Sequence, residues 1–266
     1  MNANTNNNAR RPLICAIEGN IGAGKTTIYE HLKRHFESSP SRVVFMPEPV
    51  DIWETIRDAS GKTILEKFYT DPKYAFPFQI MAYSTRLAML RKTIRENPEC
   101  QLIMCERSLE ADHNIFAKML FESGKIEDVE YQIYELLFQD TATEFRLNGA
   151  VYIDSSPEVC HQRIAKRSRA GESGIPLDYL TNCCAYYTRW LVPDSLENPP
   201  TPFTKETSND VAATLCPVIQ QMPTFPILHL DTNADATYME TEPDDCGNVW
   251  IQKVIEFVEQ QLLFYN

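Results

Sequence analysis

The sequence predicts an α/β fold built on one sheet of five parallel strands flanked by helices. Five short apolar runs recur along the 266-residue chain, each followed by a longer segment of helical periodicity. The first halves of these runs do not alternate apolar with polar residues, which is typical of strands covered on both faces. A chain of this length supports one hydrophobic core. We therefore predict a single domain over residues 12–266, preceded by a disordered, asparagine-rich tail at 1–11.

The apolar runs give the predicted strands in chain order, at 13–19, 42–49, 101–108, 149–156 and 225–231. Helical periodicity between them predicts helices at 25–36, 50–59, 74–96, 109–122, 127–146, 157–168 and 176–191. A last helix carries apolar residues at helical spacing from Ile251 to Leu262. The polar segment 192–224 contains six prolines and cannot form one long helix, so we predict a surface insertion there.

Composition excludes two classes of partner. A net charge of -12 and a pI near 4.9 are the opposite of the basic surface that holds a nucleic-acid backbone, so no nucleic-acid polymer is expected. No run approaches the roughly 18 apolar residues of a membrane helix, so no membrane is expected either. The eight cysteines lack CxxC spacing, and the N-terminal segment has neither a signal-peptide core nor a convincing transit peptide. We expect a reducing, cytoplasmic location, with mitochondrial import as the alternative.

A glycine-rich segment joins the first strand to the first helix. It matches G-x-x-x-x-G-K-[ST], in which backbone N–H groups hold phosphate, the lysine reaches the β- and γ-phosphates and the hydroxyl binds Mg²⁺. A strand before it and a helix after it are the context that the motif requires, and a glycine-rich structural turn is the alternative. We predict an ATP or GTP site, and no N-K-x-D segment supports a GTPase. The predicted phosphate-binding residues are Gly19, Asn20, Ile21, Gly22, Ala23, Gly24, Lys25, Thr26 and Thr27.

Charged residues end the second and third predicted strands, at the edge where parallel sheets place their ligands. Glu48 is a candidate base for an acceptor hydroxyl, with a solvated acid at a strand end as the alternative. Glu106 can hold Mg²⁺ and Arg107 can meet the acceptor oxygen. An ion pair that merely closes the strand is the alternative for these two residues.

Three arginines form the pattern R-x-x-x-R-x-R near the end of a predicted helix. Arg163 and Arg167 share one helix face, and Arg169 follows at the helix end. No acidic residue lies between them to neutralise their charge. The cluster predicts a lid that closes over a triphosphate, and a solvated helix face is the alternative.

Several motifs together resemble the deoxyribonucleoside kinase family. The segments "IEGNIGAGKTT", "EPVDIW", "FYTDP", "FPFQ", "ERS" and "RIAKRSRAGESGIPLDYL" occur in the family's order from about Leu13 to about Leu191, and "PILHLDTN" follows later. The resemblance implies a three-layer P-loop kinase fold with a helical lid. It also implies transfer of the γ-phosphate of ATP to the 5′-hydroxyl of a deoxynucleoside, with Mg²⁺, in nucleotide salvage. A homodimer is implied too, with the helices at 74–96 and 127–146 as candidate surfaces.

The resemblance assigns roles by position. Glu48 corresponds to the base for the 5′-hydroxyl, Arg107 to the group that steadies that oxygen, and Lys25 to the phosphate contact. Thr26 and Glu106 correspond to the Mg²⁺ partners. Arg163, Arg167 and Arg169 correspond to the family's lid arginines. Asp231 and Asn233 correspond to residues near the adenine of the phosphate donor. Tyr69 and Glu172 correspond to the pair that hydrogen-bonds the sugar 3′-hydroxyl.

The resemblance also implies a base pocket. Gln79 corresponds to the amide that pairs with the base edge. The flat or apolar walls correspond to Trp53, Leu65, Phe78 and Phe116. Ala82, Arg86 and Asp112 together favour deoxycytidine and purine deoxynucleosides over thymidine, because a buried Arg–Asp pair offers a donor and an acceptor to an amino-bearing base.

Two residues depart from the family pattern. Glu110 and His113 are unexpected in the segment after "ERS", where they are predicted to border the base pocket. Discrimination by a single added methyl group contributes only about 1–3 kcal/mol, so a thymidine-accepting or multisubstrate kinase stays an alternative. A third hypothesis is a non-catalytic relative of the kind found in respiratory complex I, although every residue that the chemistry requires is present.

Overall fold

A parallel sheet forms the centre of the protein in the computed structural model, which describes residues 10–37, 42–167, 174–192, 223–239, 242 and 244–265. Its strands are β1 (Leu13–Gly19), β2 (Val43–Met46), β3 (Leu102–Glu106), β4 (Gly149–Asp154) and β5 (Ile227–Asp231). They pair in the order β2-β3-β1-β4-β5, and every neighbouring pair is parallel. The predicted five-stranded sheet is confirmed. β2, β3 and β4 end earlier than predicted, because their last predicted residues lie in the turns that carry the candidate site.

The helices of the described residues agree with most of the predicted segments. They are α1 (Lys25–Phe36), α2 (Val50–Thr55), α3 (Ile64–Thr70), α4 (Ala75–Glu96), α5 (Leu109–Ala111), α6 (Lys118–Glu122), α7 (Asp128–Ala142), α8 (Pro157–Arg167), α9 (Leu177–Leu191) and α10 (Cys246–Tyr265). The predicted insertion at 192–224 lies outside the described residues except for its ends.

Helix α3 was missed by the sequence prediction, and α2 ends at Thr55 rather than at residue 59. A capping box begins α3: the Glu66 backbone N–H donates to Thr63 Oγ1 at 3.1 Å, and the Thr63 N–H donates to Glu66 Oε2 at 2.6 Å. The pattern T-x-x-E is a known helix start, so the sequence did contain this signal.

The segment predicted as one helix over 109–122 is interrupted. α5 and α6 flank a π-helical segment, Asp112–Ala117. Asp112 and Phe116, the first and fifth residues of this π-helical segment, both line the same cavity. Such interruptions often occur at functional sites, where the altered turn redirects side chains.

Both faces of the sheet are covered by helices, which confirms the predicted three layers. Ile14 and Ala16 of β1 pack in a core with residues of α4, α7 and α9, whereas Cys15 and Ile17 pack in a core with residues of α1, α8 and α10. This alternation follows from the period of two in a strand. None of the helices in the described ranges has the length and apolar character needed to cross a membrane.

Candidate active site

The phosphate loop connects β1 directly to α1, and two of its glycines are required by close backbone approach. A Cβ atom on Gly19 would lie 2.5 Å from a β4 carbonyl oxygen, and one on Gly22 would lie 2.5 Å from an α8 carbonyl oxygen. Both have positive φ, 146° and 81°, which glycine adopts without strain. Asn20 is buried and donates from Nδ2 to an α9 carbonyl oxygen at 2.8 Å. The loop is therefore held by three elements.

The Lys25 ammonium group and the Thr26 hydroxyl lie at the N-terminus of α1, where the hydroxyl is paired with the Glu106 carboxylate. Lys25 Nζ donates to the Asn20 carbonyl oxygen at 2.8 Å. Burial and the nearby Arg107 charge lower the pKa of Lys25 to about 8. Thr26 Oγ1 donates to Glu106 Oε1 at 2.5 Å. Because the helix N-terminus also favours anions, this end of the cavity can hold phosphate groups.

Glu48 follows β2 and lies between two arginines. Its Oε1 accepts from Arg107 Nε at 3.1 Å and from Arg86 Nη2 at 3.2 Å. Burial alone would raise the pKa of Glu48, but the positive charges of Arg107, Arg86 and Lys25 lower it to about 2. The carboxylate is therefore ionised at neutral pH and aligned by two guanidinium groups. A solvated acid at a strand end, the alternative, would not be paired with two buried arginines.

Arg107 occupies a strained backbone position at the end of β3. Its φ is 69°, which is uncommon for a residue with a side chain. The guanidinium donates to the Gly19 carbonyl oxygen at 3.3 Å and lies 4.6 Å from the centroid of the Phe116 ring. It also donates to Tyr187 Oη. These contacts fix the guanidinium between the phosphate loop and Glu48.

A buried carboxylate supports this arrangement from behind. Glu18 Oε1 accepts from the Ser108 N–H at 2.8 Å, and its Oε2 accepts from Tyr187 Oη at 3.3 Å. Burial raises the pKa of Glu18 above its usual value, against the lowering effect of the Arg107 charge. The chain Glu18, Tyr187, Arg107, Glu48 is thus continuous from the first strand to the candidate base.

Arg86 is 1% exposed and joins the candidate base to Asp112. Its Nε donates to Asp112 Oδ2 at 2.9 Å, its Nη1 to the Glu106 carbonyl oxygen at 2.9 Å, and its Nη2 to Glu48. The predicted Arg–Asp pair is present. However, Asp112 lines the cavity and Arg86 does not, because all three guanidinium nitrogens are engaged by the protein. The expectation that Arg86 itself faces a base is corrected accordingly.

The cavity has a volume of about 580 Å³ and joins the phosphate loop to an aromatic pocket. In that pocket, the Trp53 and Phe78 rings pack edge to face with centroids 5.5 Å apart. Gln79 is 2% exposed overall and lines the cavity, and its side-chain amide makes no hydrogen bond to the residues that the structure describes. The amide can therefore both donate to and accept from a ligand in the cavity.

Most residues predicted for the site line this one cavity. They are Ile21, Gly22, Ala23, Gly24, Lys25, Thr26, Thr27, Glu48, Trp53, Leu65, Tyr69, Phe78, Gln79, Ala82, Glu106, Arg107, Asp112, Phe116, Arg163 and Arg167. Gly19, Asn20 and Arg86 lie behind the lining. Arg169 and Glu172 lie outside the described residues, so their roles stay predictions.

The predicted lid and donor residues make contacts that the sequence did not indicate. Arg163 donates from Nη2 to the carbonyl oxygens of Thr232 and Ala234 at 2.9 and 3.0 Å, and from Nη1 to Ser155 Oγ at 3.2 Å. It thereby ties α8 to the segment after β5. Asp231 Oδ1 accepts from the Asn233 N–H at 3.0 Å in a turn; neither residue lines the cavity, whereas Thr232 and Asp235 do.

Glu110 and His113 do not border the base pocket, contrary to prediction. Glu110 Oε1 accepts from the Leu147 N–H at 2.7 Å, and His113 Nε2 lies 2.6 Å from Glu135 Oε1 on α7. The His113 ring also stacks on Phe138, with centroids 3.8 Å apart. Both side chains point away from the cavity because the helical turns that place Asp112 inside turn their neighbours outward.

Several residues of the site and its support lie outside the predicted set. Phe68, Tyr179 and Tyr238 line the cavity, and Glu18 and Tyr187 hold Arg107. An acid inside an apolar strand, directly before a phosphate loop, was a usable signal for Glu18. Tyr187 lies on an ordinary amphipathic helix, and no local pattern distinguishes it.

Comparisons with known proteins identify the family of the chain. The family model described as deoxynucleoside kinase matches residues 14–256. Deoxycytidine kinase 2 of Gallus gallus is 34% identical over 196 residues, covering 66% of this chain and 72% of that protein. Deoxycytidine kinase of Homo sapiens is 32% identical over 203 residues, covering 68% of this chain and 76% of that protein. Mitochondrial deoxyguanosine kinase of Xenopus laevis is 28% identical over 200 residues, covering 68% of this chain and 74% of that protein. The chain belongs to the deoxynucleoside kinase family.

Proposed function

We propose that this protein transfers the γ-phosphate of ATP to the 5′-hydroxyl of a deoxynucleoside and prefers deoxycytidine and purine deoxynucleosides to thymidine. The observation that carries the proposal is that one cavity contains all the required groups. Lys25 and Thr26 line its phosphate-loop end, Gln79 lines its aromatic end, and Glu48 pairs with Arg107 between these two ends. Phosphoryl transfer needs this set of parts, namely a phosphate cradle, a base and cations around the moving group.

The protein's own groups divide the work as follows. Glu48 accepts the proton of the 5′-hydroxyl as that oxygen attacks the γ-phosphorus, and the ADP oxygen leaves on the opposite side. Arg107 holds Glu48 and steadies the attacking oxygen. Lys25 and the loop N–H groups compensate the negative charge of the phosphates. Arg163 and Arg167 line the donor side of the cavity, where they add positive charge.

Mg²⁺ fits the residues beside the phosphate loop. The Thr26 hydroxyl and a Glu106 carboxylate oxygen lie 2.5 Å apart there, and both are hard oxygen ligands of the kind that Mg²⁺ prefers. We propose that these two residues hold the ion, directly or through water. When bound, it supplies charge neutralisation at the phosphate oxygens.

The preference for an amino-bearing base follows from Asp112. Its partner Arg86 is fully engaged, so the Asp112 carboxylate presents acceptor oxygens to the cavity. Cytosine and adenine offer an exocyclic amino donor, whereas thymine has a carbonyl oxygen at the equivalent position. Gln79 can donate and accept at the same base edge. One such hydrogen bond to a charged group contributes about 1.5–3 kcal/mol, or roughly 10- to 150-fold in kcat/KM.

A substrate panel tests the proposal. We expect kcat/KM with ATP and Mg²⁺ to be at least about tenfold higher for deoxycytidine or a purine deoxynucleoside than for thymidine. D112N should shrink this ratio, while D140N, a matched change at an exposed acid of α7, should preserve it. If thymidine were preferred, the chain would be a thymidine-accepting or multisubstrate kinase. Absence of transfer to any nucleoside would favour a non-catalytic relative.

We also propose a homodimer packed through α7. Val129, Ile133 and Leu136 are among the exposed large apolar side chains and recur at helical spacing on this helix. A partner would cover this apolar stripe. Sedimentation equilibrium should give twice the chain mass, and I133E/L136E should give a monomer.

A further inference from the structure

A second cavity, of about 410 Å³, lies at the amino edge of the sheet. It is lined by the start of β1, by the last turns of α4 and by the connection between α7 and β4. The phosphate loop follows the carboxyl end of β1, and a strand of seven residues spans about 20 Å. This cavity is therefore separate from the candidate active site, and nothing in the proposed reaction uses it.

The charge of the cavity lining is opposite to that of the chain. Four arginines line it, namely Arg11, Arg91, Arg95 and Arg146, with Glu144 as the one carboxylate among the lining residues in the described part of the chain. The net charge of the whole chain is -12. An anion would be repelled by most of this protein's surface but attracted here.

Two of the four arginines are available to a ligand. Arg91 Nη2 donates to Glu144 Oε2 at 3.2 Å, and Arg11 Nη1 donates to the Glu144 carbonyl oxygen at 3.1 Å. Arg95 and Arg146 are exposed and make no hydrogen bond or ion pair within the described ranges. Arg146 makes no hydrogen bond to the buried Glu110, whose carboxylate accepts from the Leu147 N–H at 2.7 Å.

The cavity is built on fixed backbone and has an apolar floor. The Ile14 N–H donates to Asn148 Oδ1 at 2.9 Å, and the Asn148 N–H donates to the Ile14 carbonyl oxygen at 2.7 Å. These bonds hold the connection before β4 against β1. Phe145 is buried, and the Arg91 guanidinium lies 5.5 Å from the centroid of its ring. Apolar atoms of Leu13 and Ile94 complete the floor.

We propose that this cavity binds a small molecule bearing a di- or triphosphate group, with Arg95 and Arg146 as its principal contacts. A guanidinium group presents paired N–H donors that match phosphate oxygens bidentately. Two guanidinium groups on different elements, α4 and the connection before β4, make no ion pair with the described residues, and such a pair of cations matches a chain of phosphates better than a single phosphate. The apolar floor leaves space for a group attached to the phosphates, as in a nucleotide.

Isothermal titration calorimetry of the full chain with inorganic tripolyphosphate tests the proposal. R95Q/R146Q should bind one tripolyphosphate fewer than wild type, or bind it at least about tenfold more weakly at one site. K25M, which disables the phosphate loop, should retain that site. K92Q/K253Q removes the same charge from exposed lysines outside the cavity and should bind as wild type does. An R95Q/R146Q variant with unchanged stoichiometry and affinity would overturn the proposal.

Two further measurements complete the test. R95Q/R146Q should keep the wild-type melting temperature and kcat, which separates loss of the site from misfolding. In the K25M background, ATP binding at least tenfold tighter than tripolyphosphate would identify a nucleotide ligand, and equal affinity would identify the phosphate chain as the recognised group. Binding of neither compound would refute the proposed site.

Discussion

Replacement of Glu48 by glutamine tests the centre of the proposed reaction. The Glu48 pKa of about 2 lies well below the ordinary 4.5, so the side chain is ionised throughout the working range of pH. Glutamine keeps the size and can still accept hydrogen bonds, but it cannot take the 5′-hydroxyl proton. We expect E48Q to retain nucleoside affinity and to lose about 10²- to 10⁴-fold in kcat.

The same pKa predicts an effect on stability. A group with a depressed pKa in the folded state stabilises the protein above its unfolded pKa, and this contribution is lost as the pH falls through the folded value. The difference between 4.5 and about 2 corresponds to about 3 kcal/mol at neutral pH. E48Q should therefore unfold more easily than wild type at pH 7, and the difference should shrink between about pH 4.5 and pH 2.

Coupled measurement of ADP release gives kcat, and calorimetry gives the nucleoside dissociation constant. E54Q, a matched change at an exposed acid of α2, should leave both near wild type. An E48Q rate within about tenfold of wild type would refute the assignment of Glu48 as the base. An unchanged rate with weakened nucleoside binding would reassign it to positioning.

Three further predictions follow from contacts in the same cavity. Y187F removes the hydroxyl that joins Arg107 to Glu18 and should lower kcat roughly tenfold with little change in the KM for ATP. Y186F is the control and should keep the wild-type kcat, because the Tyr186 hydroxyl bonds to Glu122 instead. Equal kcat values for the two variants would contradict a role of Tyr187 in positioning Arg107. G22A should lower the melting temperature and abolish ATP binding, because the added Cβ would lie 2.5 Å from a carbonyl oxygen. G124A is the control, since Gly124 also has a positive φ but a Cβ there would meet no atom within 4 Å. An equal effect of both substitutions would show that the close approach at Gly22 is unimportant. Since burial lowers the pKa of Lys25 to about 8, kcat/KM for ATP should fall as the pH rises above about 8, and a profile flat to pH 10 would exclude this titration.

Prediction from sequence succeeded where a function depends on neighbouring residues. The phosphate loop needs glycines and a lysine at fixed spacing, and strand ends carry Glu48, Glu106 and Arg107 into one edge of a parallel sheet. Prediction was wrong where the side chains of adjacent residues point to different sides of one helical segment. Glu110, Asp112 and His113 lie within four positions of one another, yet of these three residues only Asp112 lines the cavity.

The sequence by itself determined the parallel α/β sheet, the phosphate loop and the family, because apolar runs and short motifs are local properties of the chain. Only the tertiary structure decided which charges meet. It engages all three guanidinium nitrogens of Arg86, so that Asp112 alone of this pair faces the cavity, and it joins Tyr187 to Arg107 across 80 residues of chain. It also gathers the four arginines of the second cavity from three separate segments. Such contacts depend on how helices pack against the sheet, which no local pattern specifies.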